Sequence, residues 1–95
     1  MDINEFIDSL YFEDRAILYK GRKYFINGCS YQFQANGEAV FSLAVDLIDE
    51  HGVGTAIYSI EAPTAQDCIT NFLTDPIIDG QRFYEIEKEI TVIDW

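Results

Sequence analysis

Asp46, Asp49, Glu50 and His51 form the one cluster of this chain that contains a histidine, so any metal chemistry starts there. A metal ion needs several donors converging at about 2–2.5 Å, whereas a strand end followed by a turn points such side chains into water. These residues read as a solvated turn, and no metal is expected. Nucleophilic catalysis fares no better. Cys29 alternates with Tyr31 and Phe33, the setting of an inert buried thiol, and the sole histidine falls in a distant turn. Ser30, Ser42 and Ser59 lack a G-x-S-x-G elbow, and no P-loop, dinucleotide fingerprint or H-E-x-x-H occurs. Paired carboxylates suited to glycoside chemistry have 17 acidic residues to draw on, but so short a chain leaves little room for a substrate cleft. The expectation is a protein that is not an enzyme and uses no cofactor.

What remains is charge. Between Tyr24 and Gln81 there is no Lys or Arg, while Glu38, Asp46, Asp49, Glu50, Glu61, Asp67, Asp75 and Asp79 supply eight negative charges of the chain's net −11. A field of one sign repels nucleic acid and anionic membranes and attracts basic surfaces. Arg15, Lys20, Arg22 and Lys23, with Tyr19 and Tyr24 interleaved, resemble a base-stacking platform. Phosphate binding there would work against the field of the whole molecule, so a solvated hairpin whose Lys guards a sheet edge is expected instead. Duplex DNA carries about 18 phosphates over 30 Å, and a net charge of −11 is of that order. The chain is therefore expected to compete for a groove that holds nucleic acid, with Asp46, Asp49, Glu50, Glu61, Asp75 and Asp79 as contacts. Phe83 and Tyr84, beside the Asp79-Gly80 turn, are candidate aromatic anchors, against the alternative that these rings cover the core.

Such side chains need a scaffold. A content of 48% hydrophobic and 15% aromatic residues is too high for a disordered acidic tail. A chain of this length buries around 65% of its surface when folded, enough for one core without metal or disulfide. We expect a single compact domain over residues 1–95. MDINEFIDSL is no signal peptide, no apolar run is long enough to span a membrane, and Cys29 and Cys68 have no metal-ligand spacing. A soluble cytoplasmic protein with reduced thiols is expected.

The elements follow from spacing. Asp2 as N-cap, Glu5 three residues on, and Ile3, Phe6, Ile7 and Leu10 predict a helix over 3–11. Strands are predicted over 16–19, 23–34, 39–48 and 55–61, separated by Lys20-Gly21-Arg22, Asn36-Gly37 and the segment 49–54. Because a one-residue slip flips every side chain, the buried face selects a three-residue loop Ala35–Gly37 that pairs Tyr31 with Phe41 and Cys29 with Leu43. Thr64 and Asp67 open a second helix over 65–73, Pro76 stops it, and 83–95 returns as a strand. The order α-β-β-β-β-α-β predicts an α+β domain, a mainly antiparallel sheet of about five strands with two short helices on one face.

Phe72-Leu73, Pro76-Ile77, Asp79-Gly80 and Phe83-Tyr84-Glu85-Ile86 resemble small uncharacterised proteins of Gram-positive bacteria and their phages and other mobile elements. The small size and acidity also resemble the anti-CRISPR inhibitors, a group defined by role, so no binding residue carries over. The resemblance implies an inhibitor or regulator that binds a basic, nucleic-acid-binding protein and mimics nucleic acid. Two alternatives are an immunity or antitoxin-like protein capping a basic toxin and a housekeeping homo-oligomeric interaction domain.

Overall fold

Short turns cut this chain into strands of unequal length, and that inequality shapes the molecule. The computed structural model describes residues 2–93. Helix α1 (Ile3–Ser9) starts where the Asp2 carboxylate accepts the N–H groups of Asn4 and Glu5 at 3.0 and 3.2 Å. Strands β1 (Arg15–Tyr19), β2 (Arg22–Phe33), β3 (Ala39–Ile48) and β4 (Gly54–Ala62) follow, joined by tight turns. Helix α2 (Ala65–Thr74) opens on Thr64, whose hydroxyl accepts the Asp67 N–H at 3.1 Å. A small hairpin of β5 (Pro76–Ile78) and β6 (Gln81–Arg82), helix α3 (Phe83–Ile86), a 3₁₀ turn (Glu87–Glu89) and β7 (Thr91–Ile93) complete the order.

The main sheet has five strands in the order β4-β3-β2-β1-β7, every neighbouring pair antiparallel. Alternation along the strands puts Ile17, Tyr19, Tyr24, Ile26, Leu43 and Val45 on one face, where they form a single buried cluster with Phe6 and Leu10 of α1, Cys68, Ile69 and Phe72 of α2, and Phe83 and Ile86 of α3. Three rings tie the helices into a row: Phe6 stacks on Phe83 at 5.4 Å, and Phe83 meets Phe72 at 5.2 Å. The α+β architecture with its antiparallel sheet is as the sequence predicts.

The β2–β3 connection also takes the expected register. Gly37 adopts φ +84°, Gln34 N–H donates to Glu38 O at 2.8 Å, and Tyr31 faces Phe41. Further along, the ladder departs from expectation. Cys29 does not pair with Leu43, because the register shifts between Asn27 and Ser30 and leaves Gly28 and Cys29 as a bulge. Its cause lies outside the hairpin. The α1–β1 connection docks on the bulge, with Cys29 N–H donating to Leu10 O at 3.0 Å and Gly28 N–H to an Asp14 carboxylate oxygen at 2.8 Å.

Residues 83–95 do not form the single strand expected of them. Phe83–Ile86 is helical, Glu87–Glu89 is a 3₁₀ turn, only Thr91–Ile93 is strand, and the last two positions of the predicted strand, Asp94 and Trp95, lie outside the described residues. Phe83 and Ile86 stand three apart, so a helical turn sends both into the core, where an extended chain would send them to opposite faces. Among the described residues, no helix is long and apolar enough to cross a membrane.

Candidate acidic binding surface

Strand order decides which carboxylates become neighbours. Asp46 is half-buried on the sheet face away from the helices and lies opposite Ala56 of β4. Glu61 shares that face opposite Ser42, four positions along β3 from Asp46, or about 13 Å. Asp49 and Glu50 occupy the turn that joins β3 to β4. The Asp49 carboxylate accepts the N–H groups of His51 and Val53, both at 2.8 Å, so its charge also holds the turn. Glu50 extends into water with His51, 3.5 Å away, and both side chains are largely exposed.

On the helix side of the same strand, Asp75 ends α2 and accepts the Tyr58 O–H at 2.8 Å. Burial, followed by that bond to Asp75, pushes the Tyr58 phenol well above its ordinary range. Asp67, in the first turn of α2, acts with Glu61 in raising the Cys68 thiol, although burial is the larger cause. Six carboxylates, those of Asp46, Asp49, Glu50, Glu61, Asp67 and Asp75, thus border β4 on both faces and at its entry. Sequence reasoning left Asp67 out as a helix-start residue. Its membership follows from α2 folding back over β3 and β4.

Two of the expected contacts stand apart. Asp79, in the β5–β6 turn, faces Arg22 at 3.5 Å beside the β1–β2 turn, away from β4. Phe83 is 2% exposed in the aromatic row and has no surface to offer a partner, so it is corrected to a core residue. Tyr84, one position on, is 53% exposed. The cations gather mainly over β1 and β2: Arg15 bonds Glu13 at 3.1 Å, Lys20 lies over the Tyr19 ring, and Lys23 stands on the open face of β2. Arg82 is nearer the acidic end, its guanidinium donating to Thr74 O at 3.0 Å. Tyr19 and Tyr24 are buried, so the interleaved basic segment offers no stacking platform. Nor does its Lys guard an edge, since β7 pairs outside β1.

Other chemistry finds no assembled site. Asp46, Asp49, Glu50 and His51 point in different directions, and among the described residues no three or more His, Cys, Asp or Glu side chains gather as a metal site would require. Burial raises both thiols. Cys29 Sγ lies 3.8 Å from Ala65 O at the start of α2, and Cys68 Sγ, on α2 itself, lies 3.2 Å from Phe41 O of β3. One feature escaped the sequence reading. The β2–β3 hairpin outruns the helices, leaving Tyr31 and Phe33 exposed, edge to face at 5.1 Å, where the alternation predicted burial. The clue was length: β2 spans twelve residues, more than α2 can cover. Comparison of the chain with family models, curated proteins and solved structures finds no match.

Proposed function

We propose that this protein is a non-catalytic acidic inhibitor or regulator that binds a basic nucleic-acid-binding protein and occupies the surface its nucleic acid would use. The observation that carries this reading is the distribution of charge around β4. Six carboxylates border the strand, while β3, β4 and α2 contain neither Lys nor Arg. A surface that served solubility alone would mix both signs. Opposite charge accelerates encounter, and exposed aromatics such as Tyr84 hold the complex afterwards. With both cysteines free, the reading has the protein act in the cytoplasm. The test is affinity capture from the source cell with duplex DNA as competitor. The expected result is a basic nucleic-acid-binding protein released both by salt and by the duplex. Retention of a partner indifferent to both would overturn the reading.

A second reading, a homo-oligomeric interaction domain, draws on Tyr31 and Phe33, which are 53% and 72% exposed on one hairpin face. Light scattering separates the two, since self-association raises the mass with concentration and the acidic-inhibitor reading leaves it monomeric.

A further inference from the structure

β4 is one margin of the sheet, and among the described residues no strand pairs beyond it. A margin leaves a row of N–H and C=O groups unpaired, which proteins guard with Lys, Pro or a bulge. From Gly54 to Ala62 there is neither Lys nor Pro, and the guards are the single charge of Glu61 and a register shift that makes Ile57 an extra residue. Beyond it, Tyr58–Ala62 is regular.

The hairpin closures fix which groups face outward. Gln34 N–H donates to Glu38 O, and Asp49 N–H donates to Val53 O. Bonded and non-bonded pairs alternate in an antiparallel ladder, so from either end Val40 and Ser42 bond across to β2, while Phe41 and Leu43 bond across to β4. Ile60 and Ala62 therefore turn their amides toward β3. Ser59 and Glu61 turn theirs to the open side.

The geometry points to strand addition: Tyr58–Ala62 is the docking edge for an extended segment of a basic partner, which pairs its backbone with Ser59 and Glu61 and alternates Lys or Arg with small apolar residues. The alternation answers the two faces of β4, Glu61 on one and half-buried Ile60 on the other. The sign answers the carboxylates along it. A second copy of this chain fits poorly, since β4 against β4 sets those carboxylates beside their own copies with no cation from either strand. The inference rests on the acidic-inhibitor reading and adds the mode of contact.

The experiment uses the full chain and two synthetic peptides, one alternating Lys and Val, the other of identical charge with alternate amides N-methylated. Amide exchange followed by NMR should slow at Ser59 and Glu61 with the first peptide and not with the second. Ser59→Pro, which removes one outward donor and leaves the ladder to β3 intact, should weaken the first peptide about tenfold, the worth of one hydrogen bond. Glu61→Lys should weaken it too and keep the edge. Equal binding of both peptides, no binding, or protection away from β4 would overturn strand addition, and the peptide arm stands even if Ser59→Pro does not fold. Equal, salt-dependent binding of both peptides leaves the acidic-inhibitor reading standing, and that reading fails separately when the captured partner ignores salt and duplex.

Discussion

Gly28 has no room for a side chain. A Cβ there would stand 2.5 Å from Glu13 O and 2.7 Å from Leu10 O, backbone atoms of the connection that docks on the bulge. Gly28→Ala should therefore cost roughly 1–3 kcal/mol in urea unfolding, with the damage centred on the α1–β1 connection. Tyr58 offers a second test at this scale. Tyr58→Phe strands a half-buried Asp75 without its donor, for about 1–2 kcal/mol. The phenol is held above its unfolded value of about 10, so the folded state binds that proton more tightly than the unfolded chain does. Its contribution is complete below about pH 10 and is lost as pH rises through the folded value. Unfolding free energies measured at about pH 8 and about pH 11 should fall more steeply for the native chain than for Tyr58→Phe.

At the scale of elements, α3 separates two neighbouring rings. Phe83 fills the row between Phe6 and Phe72, so Phe83→Ala should cost about 3–5 kcal/mol, whereas Tyr84→Ala on the exposed side should leave thermal unfolding nearly unchanged. The same helix marks where sequence reasoning stops. Helices α1 and α2 were legible because their caps are local: Asp2 and Thr64 bond N–H groups two or three residues away. The Ala35–Gly37 loop was legible because only one register keeps Tyr31 and Phe41 on the same face. A four-residue helix spans barely one turn, too few positions to display a helical period, and Ile86, Ile90 and Val92 also suit a strand. The bulge at Gly28 and Cys29 was hidden because its cause, Leu10 and Asp14, is distant in sequence.

At the scale of the molecule, sequence gave the number and sign of the charges but not their neighbours. Asp79 looked equivalent to Asp75, yet the fold carries it to Arg22 and leaves Asp75 beside β4. Asp67 joined the group only because α2 folds back over the strands that the other acids occupy. The result is a body of 42 × 29 × 24 Å in which six of the 17 acidic residues border one sheet margin without a cation from β3, β4 or α2, while the cations lie mainly over β1 and β2, where acids such as Glu13 and Asp79 pair with them. On the proposed reading, this distribution would draw a basic partner toward the β4 end, and screening over about 8–10 Å at physiological ionic strength should blunt the attraction.

The most direct test is the affinity for the captured basic protein as a function of salt, measured for the native chain and for Glu61→Lys. The account predicts that the native affinity falls roughly tenfold or more from low to physiological salt, and that the variant starts weaker with a shallower slope. An affinity that stays flat with salt, or a variant that binds as tightly as the native chain, would contradict it.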